Sequence, residues 1–183
     1  IEYITIATTG NALDFGDTTG TLYGFGCTAT ASPTRGVYAG AYGAGTNNTI
    51  EYVTISTLGN GFDFGDLVKK TYSLVACSNS TRGLLAGGSP GYTTIGYITI
   101  ATLGDATDFG DSLLGGYGCG GSSPTRGVAG GGYFANAPTG GADGFTNIID
   151  FTQIATTGNA QDFGDLLQRI RHIKGGSNGH GGL

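Results

Sequence analysis

The chain has 183 residues, of which 38 are glycine and only 4 proline, with no methionine or tryptophan; 11% are charged and the formal net charge is −5. Glycine follows no strict three-residue period, which excludes a collagen helix, and the 38% of hydrophobic residues, with tyrosine and phenylalanine spread throughout, argues against a disordered polymer. An acidic chain without clustered cations is a poor nucleic-acid surface, and no apolar run approaches the ~20 residues of a membrane helix.

In chain order, IEYITIATTGNALDFGD at 1–17 opens with alternation: Tyr3, Thr5 and Ala7 fall on one face, Ile4 and Ile6 on the other, the period of a strand. TTGNA is a Gly/Asn turn and LDFGD returns as a second strand. GFGCTAT at 24–30 and RGVYAGAY at 35–42 predict a second hairpin around the ASPT turn at Pro33. The first half recurs as IEYVTISTLGNGFDFGD, IGYITIATLGDATDFGD and IIDFTQIATTGNAQDFGD, the second as SLVACSNSTRGLLAGGSPG and GYGCGGSSPTRGVAGGGYF. Repeats start near 1, 50, 95 and 149, and the DFGD phenylalanines are 49, 45 and 54 residues apart. Length varies after the glycine doublet, as in ANAPTGGADGFTN at 135–147, which marks a loop at one side of a regular frame. Residues 1–165 therefore read as one repeat domain of short antiparallel strands, three complete units and a half unit.

Eight of the 13 acidic residues lie in the four DFGD motifs: Asp14 and Asp17, Asp63 and Asp66, Asp108 and Asp111, Asp162 and Asp165. A kinase uses DFG once to hold magnesium, but four copies without a glycine-rich phosphate loop and its lysine read as framework. Each complete unit adds one TRG arginine (Arg35, Arg82 and Arg126), and charge-assisted bonds from these to the aspartates are the expected ties between hairpins. Calcium held by a DxxD pair is the alternative. The central Phe15, Phe64, Phe109 and Phe163 read as one core plug per unit. Cys27, Cys77 and Cys119, once per unit and never as CxxC, read as small buried apolar residues. Aromatics beside the variable loops, Tyr42, Tyr92, Tyr133 and Phe134, are the candidates for ligand contact.

A four-strand unit of this length is that of a β-propeller blade. The Gly-Gly doublet (Gly87 and Gly88, Gly131 and Gly132, with Gly40 followed by Ala41 in the first unit) precedes the aromatic Tyr3, Tyr52, Tyr97 or Phe151, and the DFGD phenylalanine follows. This pattern resembles kelch and galactose-oxidase-type propellers, with phenylalanine where kelch usually has tryptophan. A three-fold β-prism is the alternative architecture. Three blades and a half fall short of the four or more of closed propellers, so further blades upstream, or completion by another subunit, are expected. The wording IEYVTI…DFGD…SPTRGV…GG is similar to repeats in virion structural proteins of tailed marine bacteriophages, especially cyanophages. That resemblance implies a virion or extracellular setting, with other virion subunits and a host-surface glycan or receptor as partners, and the chain as part of a fibre, tail or surface appendage. It implies a non-enzymatic structural or adhesive module, with a homo-oligomer as a further expectation; its rivals are a purely structural filament or decoration subunit and a carbohydrate-active propeller enzyme.

The segment 166–183, LLQRIRHIKGGSNGHGGL, lacks the SPTRG pair and reads as a divergent strand with a charged edge and a glycine-rich tail. It gathers Arg169, Arg171 and Lys174, three of the 8 Lys and Arg residues, together with His172, and could dock on an acidic partner.

Overall fold

A computed structural model describes residues 1–20, 24–43, 47–134 and 144–176. Among them it holds fourteen strands and no helix. β1 (Glu2–Tyr3) and β2 (Leu13–Asp14) form a two-stranded ladder. Three four-stranded antiparallel sheets follow. The first holds β3 (Thr28–Ala31), β4 (Arg35–Ala39), β5 (Thr49–Thr54) and β6 (Phe62–Asp66). The second holds β7 (Val75–Ser78), β8 (Arg82–Ala86), β9 (Thr94–Thr99) and β10 (Thr107–Asp111). The third holds β11 (Cys119–Ser122), β12 (Arg126–Gly130), β13 (Ile148–Gln153) and β14 (Gln161–Asp165). Each sheet thus joins the second half of one sequence repeat to the first half of the next.

The strands end earlier than the alternation predicts. β5 stops at Thr54, and a turn begins with the Thr57 N–H donating to Thr54 O (3.1 Å). The isoleucine after the strand serves a different purpose: Ile55, Ile100 and Ile154 each donate their N–H to the threonine before the TRG arginine. Along the chain Ile6, Ile55, Ile100 and Ile154 are 90, 46, 1 and 0% exposed. Burial rises because each isoleucine is covered by the preceding sheet, which the first two lack in full.

The DFGD motif is a bulge. In β6 Asp63 lies opposite Glu51 and Gly65 opposite Ile50, so Phe64 is the extra residue; β10 and β14 repeat the irregularity. The first aspartate bridges it: Asp14, Asp63, Asp108 and Asp162 accept through Oδ1 the N–H of the glycine two residues on, at 3.0–3.2 Å. The rest of the motif grips the next repeat. Gly104 N–H donates to Phe64 O (2.9 Å), Asp66 N–H to Asp105 Oδ1 (2.9 Å), and Ala106 N–H to Asp66 O (2.7 Å). The same three bonds join Phe15 and Asp17 to Gly59, Asn60 and Gly61, and Phe109 and Asp111 to Gly158, Asn159 and Ala160. The motif's glycine lets the turn sit this close. A Cβ on Gly65 or Gly110 would lie 2.5 Å from the carbonyl oxygen of Gly104 or Gly158, and their φ angles of +141° and +144° already disfavour a side chain.

This clasp closes over the core. Phe64, 3% exposed, packs among Ile50, Leu67, and Ile98 and Ile100 of the following sheet; Phe109, also 3% exposed, packs with Ile154 and Ala160 of the sheet after it. Phe15 is half-buried and Phe163 is 56% exposed, so the expectation of one buried plug per unit needs correcting at the ends. Phe64 and Phe109 pack against isoleucines of their own and the following sheet, whereas Phe15, although bonded to the next repeat's turn, stays half-buried, and no following repeat lies over Phe163 among the described residues.

Two acids are buried between sheets. Glu51 on β5 accepts from the Thr19 N–H (3.0 Å) and hydroxyl of the preceding repeat. Asp150 on β13 accepts from Ser112 Oγ (2.6 Å) and the Leu113 N–H (2.8 Å). At the middle interface the corresponding residue of β9 is Gly96, and a Cβ there would lie 3.2 Å from Val68 Cγ2. Burial raises the Asp150 carboxyl above its ordinary value, offset by the bonds from Ser112 and Leu113.

The described part of the tail, residues 166–176, forms no strand. Among described residues 166–176 repeats the backbone path after each DFGD: Leu67, Ser112 and Leu166 N–H groups donate to Asn48, Thr93 and Asn147 carbonyls. His172 N–H donates to Tyr117 O (2.8 Å) as Tyr117 N–H does to Ser73 O (2.9 Å) and Ser73 N–H to Gly26 O (2.6 Å). Ile173 then fills the space beside Gly131 as Leu74 does beside Gly40. The frame therefore persists to Ile173 although its side chains diverge, because backbone bonds carry it.

The clasp predicts that Gly110→Ala lowers unfolding free energy by about 2 kcal/mol more than Gly164→Ala in denaturant titrations. The two glycines share a φ near +143° (+144° and +142°), but only Gly110 faces a neighbour; equal losses would refute the steric role. The raised Asp150 acid predicts a contribution that is full below the ordinary carboxyl value of 3.8 and declines as pH rises through its folded value. Asp150→Asn should flatten that decline in thermal melts at successive pH values, and an unchanged slope would rule it out.

Candidate functional site

The TRG arginines do not pair with the DFGD aspartates among the described residues, which corrects the expected ion pairs. Arg35 lies over the Tyr52 ring (4.7 Å) and donates to Ile100 O (2.8 Å); Arg82 lies over Tyr97 (4.5 Å) and donates to Ile154 O (2.9 Å). Each thus ties an aromatic of its own sheet to a carbonyl of the next. Arg126 lies over Phe151 (4.9 Å) and is exposed at the end of the array. The carboxylate of each motif's first aspartate is instead committed to the bulge, the second aspartate enters the clasp through its backbone, and no three His, Cys, Asp or Glu side chains gather as a metal site among the described residues. The cysteines also depart from uniform burial. Cys77 is half-buried against the position of a Gly127 Cβ, and burial pushes its thiol up to about 12, whereas Cys27 is exposed at the first sheet.

A different group forms the most site-like surface. Phe25, Tyr72 and Tyr117 precede β3, β7 and β11, while Tyr42 and Tyr133 follow β4 and β12, so all five emerge at one end of the hairpins, beside the variable loops. Their rings form a continuous run. Centroids are 5.2 Å apart for Phe25 and Tyr42, 4.9 Å for Tyr42 and Tyr72, 6.1 Å for Tyr72 and Tyr117, and 6.1 Å for Tyr117 and Tyr133. Phe145 continues it, 6.4 Å from Tyr133, and Arg171 lies over both rings at 4.6 and 5.3 Å. His172 meets Tyr117 edge-on at 4.9 Å. The rings meet one another tilted or edge to face, and Phe25 and Tyr42 are 58 and 39% exposed. Hydrogen bonds from Ser89 and Tyr117 hold the Tyr72 phenol below the ordinary tyrosine value, and burial pushes Tyr117 above it. The backbone beneath is strained: Ser73, Tyr117 and His172 have φ of 57°, 59° and 56°, a left-handed conformation that costs a side-chain-bearing residue about 1 kcal/mol.

Of the four aromatics singled out in the sequence, Tyr42 and Tyr133 enter this run. Tyr92 sits apart, with the Lys69 ammonium 5.6 Å from its ring, and Phe134 is half-buried beside Gly115. The sequence reading missed Phe25, Tyr72, Tyr117 and Phe145, and took Arg171 for part of a basic tail rather than a neighbour of these rings. A signal existed in two units, where an aromatic stands two residues before Cys27 and Cys119. His180, the other histidine, lies outside the described residues.

No protein-family signature and no curated protein matches the chain. Its fold is similar to the solved structure of YjhT, a kelch-repeat β-propeller protein, with a TM-score of 0.66 and 12% identity over 88% of this chain. The match takes in 61% of YjhT, so the chain spans about three-fifths of the length of that propeller. The fold is thus that of kelch-like propeller blades, each a four-stranded antiparallel sheet.

The arginine contacts predict unequal losses. Arg82→Ala should lower unfolding free energy by about 1–3 kcal/mol, since it removes both a cation–π contact and a charged hydrogen bond to the next blade. Arg126→Ala should cost less than about 1 kcal/mol. Matched denaturant titrations check this, and a larger loss at Arg126 would overturn the assignment.

Proposed function

We propose that this chain is a non-enzymatic adhesive repeat module of a phage particle, in a fibre, tail or surface appendage, and that its aromatic run contacts a host-surface glycan. The observation that carries the reading is the half-exposed row Phe25, Tyr42, Tyr72, Tyr117 and Tyr133. Ring faces stack on the apolar C–H faces of sugars, while phenol hydroxyls and the Arg171 guanidinium can serve sugar hydroxyls and acidic groups. The row crosses three repeats whose backbones are bonded to one another, so the rings are held in place before a ligand arrives, which lowers the entropic cost of binding. A single shallow contact of this kind is weak, and many copies on one particle would raise its avidity. The phage setting draws on the similarity of the repeat wording to virion structural proteins.

A purely structural filament or decoration subunit is the second reading, favoured by the identical backbone bonds that fasten each repeat to the next.

Multivalent display of the wild-type chain on a glycan array should reveal a restricted set of bound sugars. Phe25→Ala and Tyr42→Ala should each weaken that binding about five- to tenfold with little change in melting temperature, as expected for the loss of about 1 kcal/mol of stacking. Retention of full binding by the double variant would sink the aromatic site; absence of any glycan signal would favour the structural subunit.

A further inference from the structure

The row of rings runs into a cation. His172 N–H donates to Tyr117 O as Tyr117 N–H donates to Ser73 O and Ser73 N–H to Gly26 O, so Arg171, one residue earlier, holds the frame position of Phe25, Tyr72 and Gly116. An arginine thus stands where two repeats carry a ring. That position opens to solvent inside the array as well, since Phe25 is 58% exposed with two further sheets after it. The guanidinium lies 4.6 Å from the Phe145 centroid and 5.3 Å from that of Tyr133, two rings that are themselves 6.4 Å apart. Attraction to ring faces engages its charge and none of its five N–H donors.

Those donors set Arg171 apart. Arg35 and Arg82 also lie over rings, but each gives an N–H to an isoleucine carbonyl. Among the described residues no hydrogen bond or ion pair engages Arg171. The three TRG arginines begin β4, β8 and β12 and so stand at the opposite end of the hairpins from the row. Burial raises the Tyr117 phenol and the Arg171 charge works against that rise, so the cation is felt along the row beyond the two rings it touches.

We infer that Arg171 makes this surface selective for anionic sugars, the rings holding the sugar body and the guanidinium its carboxylate or sulfate. This rests on the reading of the aromatic row as a glycan site and names the class of glycan. A charge-assisted hydrogen bond is about twice as strong as one to a neutral hydroxyl, and the planar fork can meet two anion oxygens at once. Two rings already hold the guanidinium, so little side-chain freedom is lost when an anion arrives.

The test scores matched pairs on a glycan array probed with the whole chain in multivalent form: uronate against its parent hexose, and sulfated against unsulfated sugar. The acidic member of a bound pair should bind at least about tenfold more strongly, an advantage that shrinks as sodium chloride rises from about 0.05 to about 0.5 M. The uronate and sulfate pairs show which anion is read, and either supports the inference. Arg171→Gln should bring the acidic-to-neutral ratio close to one. Arg171→Lys keeps the charge without the fork, should lower the ratio about threefold, and carries the test if Arg171→Gln fails to fold. Neutral members that bind as well as their acidic partners, or a ratio that a folded variant leaves unchanged, would overturn the inference while leaving a glycan site in place. Silence across the whole array would end both.

Discussion

The structure depends on backbone bonds made across glycine. A four-stranded sheet of four- to six-residue strands cannot bury its own faces, so each must be covered by another sheet, and here the covering sheets are fastened edgewise by the bulged DFGD segment. Four residues do three jobs. The first aspartate satisfies the N–H that the bulge frees, the phenylalanine enters the interface, and the glycine admits a neighbour's turn to a distance no side chain would allow. Three hydrogen bonds of about 1 kcal/mol net each are modest singly, but they fix the spacing at which the phenylalanine and the next blade's isoleucine meet. Stability in such an array is a sum over neighbours, which is why burial fades at both ends.

The repeat was readable because its landmarks are residue types with steep local preferences: glycine beside asparagine, aromatic at a fixed offset, arginine after threonine. Those landmarks gave the four-strand unit and the propeller class. They misled about partners. Aspartate and arginine recurring together suggest each other, yet the first carboxylate of each motif finds a nearer amide N–H in its own bulge and the arginines find an aromatic ring and a carbonyl. Sequence fixes that a charge recurs, while the fold decides which of several satisfactory partners lies within reach. The strand ends were also misplaced, because Ile55, Ile100 and Ile154 continue the alternation after the backbone has turned. The tail misled in the opposite way: its side chains depart from the repeat while its backbone keeps to it.

The aromatic row was hardly legible for a related reason. Phe25 and Tyr72 occupy one repeat position, Tyr42 and Tyr133 another, and Tyr117 is displaced by one residue to the position of Ser73. No single alignment column is aromatic, so periodicity does not reveal a surface that forms only when the repeats are placed side by side. The division is physically sensible. Positions that hold blades together must be uniform, because each faces the same neighbour; positions at the open end of the hairpins face solvent and are free to differ.

The buried acids carry that individuality into the interior. Glu51 and Asp150 each meet a hydroxyl and an amide of the preceding repeat, while the middle interface sets Val68 against Gly96. A chain in which the blades were permuted would drive a carboxylate into the space of a valine, or leave a serine facing bare glycine. The blades look alike from outside, yet each carries a lock cut for one predecessor, and their order along the polypeptide is written in these few atoms.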